Sequence, residues 1–297
     1  MRDGPQTSRP LLRPPRSIAA GLLALALVCI AAATPVALWH LANERELRAG
    51  ERCFYARDYA AAVEHYQRIV AAYPAWWKGK TYLFAAQHEA QRVQDSGGQP
   101  VEPLAVDLRG SVGHTDRGYD TGHAGHPTQA IAEFQDALRR NPWNDWAREC
   151  LAYQYHLLGR EDDCIAELQR TIGIAPRNGD ARFDLALALR DAGRIDEEIA
   201  QYRELLRQNP VGTPYHYCLA CALGKQAKYD EAEAHLEVCL AANANDFPAR
   251  EELIWAFRQS GHPDAAAAQC RELLRRNPKN AYARACLNTD RTMSPSR

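Results

Sequence analysis

Proline recurs at a fixed interval along this chain. Asn141-Pro142, Asn209-Pro210 and Asn277-Pro278 share a dipeptide, and Ala175-Pro176 stands between the first two. These prolines lie one or two periods apart, the period being about 34 residues, and self-similarity at that spacing marks an array of small supersecondary units. Such a period restricts the fold more tightly than composition does. In the unit ending at Pro176, apolar residues recur three and four apart, first at Leu151, Ala152 and Tyr155, then at Ile165, Leu168 and Ile172. Gly159 divides the two runs and proline closes the second. Each unit is therefore predicted to be two short helices about a turn. One hairpin of this size cannot bury its apolar face alone, so neighbours must stack and share a continuous core.

Residue by residue, this pattern resembles the tetratricopeptide repeat family. The third unit offers Leu151, Ala152, Tyr155, Gly159, Leu168 and Pro176; the fourth offers Leu185, Ala186, Leu189, Gly193, Tyr202, Leu205 and Pro210. The fifth has Leu219, Ala220, Leu223, Tyr229, Ala232 and Leu236, with Ala244 in place of proline, and the sixth has Leu253, Phe257, Gly261, Ala266, Leu273 and Pro278. A first unit shows Gly50, Tyr59, Ala62, Tyr66 and Pro74. Cys164 and Glu198 depart from the family's alanine. The resemblance implies an all-α, right-handed superhelical solenoid of about six helix hairpins over residues 41–288. A short helix near residues 280–288 would cap it, and 289–297 would be a disordered tail.

Ahead of the array, residues 17–38 carry no charged side chain, and a helix of that length spans a hydrocarbon core of roughly 30 Å. Trp39 follows at the expected interface, so 17–39 reads as a transmembrane signal anchor. Residues 1–16 hold Arg2, Arg9, Arg13 and Arg16 against Asp3 and form a basic leader. By the positive-inside rule that leader is cytoplasmic and the repeats lie on the far side, most naturally a bacterial inner membrane facing the periplasm. A cleaved signal peptide ending near Ala31-Ala32-Ala33 is the competing reading, but the apolar stretch exceeds the roughly 7–15 residues of a signal core.

The second unit is irregular, because Pro74 and Pro142 stand two periods apart and only one pair of helices is visible between them. Those helices are expected at Trp76–Val93 and Thr128–Arg140, leaving a Gly/His-rich insertion at 95–126. With seven glycines and two prolines among its residues, that insertion is expected to be a loop. It brings His114, Asp116, Asp120, His123 and His126 close in sequence, and imidazole with carboxylate suits zinc. His114, His123 and His126 are thus candidate ligands, and a metal-binding or catalytic site in the insertion is the alternative to a pure binding protein. A glycine-rich loop supplies no rigid frame for such a site, and the expected metal and cofactor complement is none.

The family resemblance implies that the first helix of each unit lines a concave groove that binds protein or peptide segments. The groove positions give Trp146, Glu149, Cys150, Tyr153 and His156; Asp180, Phe183, Asp184, Leu187 and Arg190; Tyr217, Cys218 and Cys221; and Glu251, Glu252, Trp255 and Arg258. Of these, Trp146, Tyr153, His156, Phe183, Leu187, Arg190, Tyr217, Trp255 and Arg258 are the expected contacts, aromatic anchors with arginine at the rim. For a single aromatic, such as Tyr153 or Phe183, packing on the next repeat is the competing role. The lysine and asparagine pattern that grips a terminal carboxylate in one branch of the family is missing from the regular units. Cys218 and Cys221 lie mid-helix, not at the helix N-terminus that redox chemistry uses, and the nine cysteines show no regular disulfide framework. With 36 basic and 37 acidic residues, no global field favours nucleic acid. The reading is a membrane-anchored scaffold or adaptor, without catalysis, whose partner is a protein or peptide segment; a second copy of the chain is the other candidate occupant.

Overall fold

The computed structural model describes residues 43–97 and 105–293, with side chains to Leu287. The leader and the 17–39 segment lie outside the described residues, and among those described no helix is long and apolar enough to cross a membrane. The described residues are helical throughout, with no strand. They divide into two compact units, residues 1–103 and 104–297.

The first unit holds α1 (43–55), α2 (Tyr59–Ala72) and α3 (Trp77–Asp95). Tyr66 of α2 is fully buried, and Tyr82 of α3 packs a tilted ring on it at 5.5 Å. The second unit is a run of hairpins: α4 (Leu108–His123) with α5 (Pro127–Arg140), α6 (Asp145–Leu157) with α7 (Glu161–Ile174), and α8 (Gly179–Asp191) with α9 (Ile195–Gln208). It continues with α10 (Thr213–Lys225) and α11 (Tyr229–Ala242), then α12 (Phe247–Gln259) and α13 (Pro263–Arg276), and closes on α14 (Ala281–Met293). Within this second unit each helix packs on the next one along the chain.

Two features set the hairpin geometry. The residue before each second helix's N-cap has positive φ, at Arg57, Gly125, Gly159, Gly193, Ala227 and Gly261, all in one repeat register. The two helices of a hairpin are then tied by a polar pair at constant sequence separation: Glu46 with His65 (2.7 Å), His114 with Glu133 (2.7 Å), Arg148 with Glu167 (2.7 Å), Arg182 with Gln201 (3.0 Å), His216 with His235 (2.8 Å), and Arg250 with Gln269. Caps repeat as well. Asn144, Asn178, Asp246 and Asn280 accept from the backbone N–H three residues on, satisfying a donor that the first turn leaves orphaned.

The structure corrects the second repeat. Residues 108–123, expected as loop, form α4, and α5 closes its hairpin on α4 rather than on α3. Asp107 caps α4 through the Gly110 N–H and pairs with Arg140 at 2.5 Å. The buried face of α4 is Leu108, Ser111, Thr115 and Gly118. Gly118 occupies the close-approach position of Gly50, Ala152, Ala186 and Ala220, and a Cβ there would lie 2.7 Å from the Phe134 ring. Meanwhile α3 runs helical past Gln91, the place where the other repeats reverse, and reaches 19 residues.

Two other expectations change. The closing helix extends to Met293, beyond the expected cap and into the first residues of the expected tail. Cys270 of α13 and Cys286 of α14 form a disulfide across 16 residues, which staples the closing helix to the last hairpin. Cys164 and Glu198, at the family's alanine position, are both buried, and the helices accommodate them.

These contacts predict the following. Gly113→Ala, whose Cβ would meet only the end of Arg117, should raise the melting temperature by the equivalent of about 0.5–1 kcal/mol, whereas Gly118→Ala should lower it. A loop in place of α4 would leave both unchanged. Replacing Cys270 and Cys286 together by alanine should cost about 3 kcal/mol on the loop-entropy view and speed amide exchange in α14; exchange unchanged in α14 would refute the staple.

Candidate protein-binding groove

The first helices of the second unit's hairpins lie side by side, and their outward positions form a groove. Between α6 and α8 it deepens into a cavity of about 260 Å³. Ala152, Ala188 and Leu168 make its floor, Tyr153 and Leu187 its apolar sides, and Glu149 and Asp184 face it from the two helices. His156, Arg190 and Asp191 close one end. A second, wider opening lies among α10, α12 and α14, where Trp255, Tyr229 and Tyr282 stand beside Glu251, Glu252 and Lys225. Gly224 leaves room for the Trp255 ring, which a Cβ there would meet at 2.8 Å.

The expected contacts separate into two kinds. Tyr153 is 57% exposed and Trp255 38%, and both line openings together with His156, Leu187 and Arg190. Phe183 turns away: its ring packs on Tyr202 at 6.1 Å and on Tyr215 at 5.7 Å, against the core of the next repeat. Tyr217 is also packed on that core. Trp146 is half-buried in the first turn of α6, and Arg258 donates to the Cys286 carbonyl at 2.9 Å, holding the closing helix. One further groove residue escaped the sequence reading. Tyr119 of α4, 45% exposed, stands one period before Tyr153 and extends the aromatic file, but its segment read as loop.

The electrostatics are lopsided. Burial, and then the neighbouring Asp145, push the Glu149 carboxyl up to about 8; Asn178, which donates to it at 2.5 Å, offsets this in part, and Asp184 and Asp180 add to the rise. Much of Asp184 meets solvent, yet partial burial of its carboxyl and then Asp180 raise it too. Glu252 is raised by burial and by Glu251. Two cations along the groove are already engaged, Arg190 with Asp191 at 3.0 Å and Lys225 with Glu198 at 3.8 Å.

The histidines of the former insertion are held apart. His114 pairs with Glu133, His123 lies against the Tyr119 carbonyl and ring, and His126 is the N-cap residue of α5. The stretch of α4 from His114 to His123 places them about 13 Å apart along the axis. Among the described residues no group of three or more histidine, cysteine or acidic side chains is placed to hold a metal ion. Burial pushes the thiols of Cys150 and Cys164 up to about 12 and those of Cys221 and Cys239 to about 11, so they are poor nucleophiles.

Stacked two-helix units presenting one continuous groove define a helical-repeat solenoid of the protein-binding kind. Residues 158–212 and 217–284 match a family model described as tetratricopeptide repeat, and residues 47–75 match a second model of the same description. The chain belongs to the tetratricopeptide repeat family. Similar solved structures include MamA, at 19% identity and a TM-score of 0.51 over 55% of this chain and 95% of that one. A further MamA structure gives 16% and 0.52 over 63% and 97%. YrrB, described as a TPR protein with an unusual peptide-binding site, gives 10% and 0.53 over 67% and 97%. At these identities the likeness is one of fold. Comparison with curated protein sequences finds no match.

The two kinds of aromatic predict two outcomes. Phe183→Ala should destabilise the fold by about 2 kcal/mol or more, as for a partly buried ring removed from a core. Tyr153→Ala should change stability by no more than about 0.5 kcal/mol. Chemical denaturation of both variants decides between an anchor that packs and one that waits for a partner.

Proposed function

We propose that this protein is a membrane-anchored adaptor that seats a segment of a protein partner in the groove along α4, α6, α8, α10 and α12. The observation that carries the reading is a single file at one repeat position, with Tyr119, Tyr153 and Trp255 exposed, Leu187 half-buried at the cavity wall, and Cys221 between Leu187 and Trp255. Large apolar side chains left in solvent at a regular spacing, over alanine floors, suit the side chains of an extended or helical segment. The peptide-binding site named for YrrB, which shares the fold, supports this use of the surface. The groove's chemistry is recognition, with no reaction of its own.

The apolar run 17–38 would hold this groove at a bilayer, and tethering raises the effective concentration of a bound partner there. The arginines of the leader favour a cytoplasmic N-terminus and repeats on the opposite side. The Cys270–Cys286 disulfide suits an oxidising compartment, and the remaining described cysteines are at least partly buried, with Cys164 and Cys239 fully so.

A photo-crosslinking amino acid at position 153 of the full-length protein, expressed in its membrane, tests the reading. Position 153 should give a discrete crosslinked partner, lost with Leu187→Ala and Trp255→Ala, while position 207 on the exposed face of α9 should not. Equal crosslinking from both positions, or none from 153, would overturn the groove assignment. Deleting residues 17–38 should move the protein from the membrane to the soluble fraction.

A further inference from the structure

The groove between α6 and α8 combines apolar sides with uncompensated acid. Glu149 on α6 and Asp184 on α8 face one cavity, and Asp145 and Asp180 flank them in the first turns of the same helices. Among the described residues Glu149, Asp180 and Asp184 make no ion pair. Glu149 takes only the neutral amide of Asn178, Arg190 is bound to Asp191, and His156 is bound to Glu161 at 3.0 Å. Like charges crowded in a half-buried site repel, and water screens them poorly there. A cation arriving from outside relieves that repulsion. Between the acids, the exposed Tyr153 and the half-buried Leu187 offer apolar surface to the cavity.

The same arrangement recurs three repeats on. Glu251 and Glu252 of α12 stand beside Trp255 and Tyr282, while Lys225 is drawn towards Glu198. Two seats in one groove thus pair an exposed aromatic with acids that have no cation of their own.

We propose that the partner segment is basic, and that the α6–α8 groove seats one of its lysine or arginine side chains, with the methylene stem on Tyr153 and Leu187 and the cationic head between Glu149 and Asp184. Long cationic side chains have this divided character, apolar along the stem and charged at the tip. At the second seat the Trp255 face adds an attraction for such a cation. This inference rests on the groove reading above and names the chemistry of its occupant.

Binding is linked to protons. Glu149 holds its proton up to about pH 8, where a lysine is still charged, so seating a cation requires or causes its ionisation. Affinity therefore rises with pH up to and somewhat beyond 8. In the free protein the sign is opposite: a carboxyl raised on folding stabilises below its unfolded value, and that contribution is lost as pH rises through about 8. The groups facing Glu149 are Asp145 and Cys150 on its own helix and Asn178, Asp180 and Asp184 on the other side, with His156 and Arg190 at the end of the cavity. His156→Gln, which removes the imidazole at the end of the cavity, serves as the control that keeps the Glu149 slope.

The test uses full-length protein in detergent micelles and labelled peptides of repeated Gly-Leu-Lys-Ser, beside twins with glutamine or glutamate for lysine. The lysine peptide should bind about tenfold more tightly than the glutamine twin at about pH 8.5, with the glutamate twin weaker still, and the advantage should shrink towards about pH 6. Glu149→Gln with Asp184→Asn should abolish the advantage and its pH slope while leaving the melting temperature equal or higher; His156→Gln should keep both. If lysine and glutamine peptides bind equally and Tyr153→Ala with Leu187→Ala weakens both, the groove reading stands and the basic partner is refuted. If no peptide binds, or binding ignores all of these substitutions, both readings fail. Saturable calcium binding that displaces the lysine peptide would reassign the seat to a metal ion and overturn the proposal.

Discussion

The chain can form a stacked array only if it reverses direction at equal intervals, and one backbone position enforces this. At residues 57, 125, 159, 193, 227 and 261 the backbone enters the left-handed region, which ends the first helix and aims the second back along it. Glycine fills four of these sites without steric cost. Arg57 and Ala227 fill the others, so the reversal persists even where the residue opposes it by about 1 kcal/mol. With the reversals in register, the remaining regularities follow: polar pairs within the hairpins, side-chain caps at several first-helix starts, and a disulfide between a second-helix core position and the next first helix. The same step along the chain joins Tyr202 and Cys218, where a phenol meets a thiol instead.

Apolar burial holds the stack but leaves sliding along a helix axis cheap, and the polar pairs supply what burial lacks. In five hairpins the first-helix member of the pair is a cation or imidazole, and Arg148, Arg182, His216 and Arg250 each also contact a backbone carbonyl six residues earlier. A one-residue slip would break both contacts and leave half-buried groups unpaired. The His216–His235 pair shows how far the position tolerates substitution. His216 uses Nε2 to donate to the Pro210 carbonyl, so its Nδ1 is an acceptor when the ring is neutral, and the proton between the rings belongs to His235. Burial and then His216 press His235 towards the neutral form, so this hairpin is most secure above the ordinary histidine range and loses that contribution as pH falls below it.

The family and the period were legible because they rest on residues that act locally: proline as a stop, glycine as a reversal, small residues where helices cross. The helix α4 was not, because Gly110, Gly113, Gly118 and Gly122 lower intrinsic helicity by up to about 1 kcal/mol each, and a local reading sums these into a loop. Tertiary contacts outweigh them. Ser111 and Thr115 are buried and accept from Asn144 at 3.0 Å, and Gly118 fills the position that needs the least side chain. The signal lay in the spacing, since Pro74 and Pro142 are two whole periods apart and Gly125 is in register with Gly159. For the groove, Tyr153, Leu187 and Trp255 followed from the positions that the family resemblance assigns to the first helix of each unit, and the structure sets them at the two openings. Phe183 was not, because its position lies between the groove and the neighbouring helix, and only the packing of Tyr202 and Tyr215 decides which way the ring goes. The Cys270–Cys286 pairing depends on contact between successive units and carries no local mark.

The acidity of the groove does not come from composition, since the chain is nearly neutral at a net charge of −1. It comes from where the cations are tied. Glu198 is the telling case: it occupies a buried position that elsewhere in the array holds alanine or cysteine, its carboxyl is raised by burial, and Lys225 is the cation nearest it, at 3.8 Å. A buried, incompletely paired carboxylate adds little to stability, so its presence is better explained by what it does to its neighbours. It pairs with Lys225 at the opening beside Trp255, as Asp191 pairs with Arg190 at the first cavity and the Cys286 carbonyl with Arg258 at the closing helix, so these cations are engaged within the fold. Arg190, Lys225 and Arg258 are each turned to a partner within the fold. What remains facing outward is aromatic and acidic, a surface whose polarity is set by internal tethering rather than by an excess of acid.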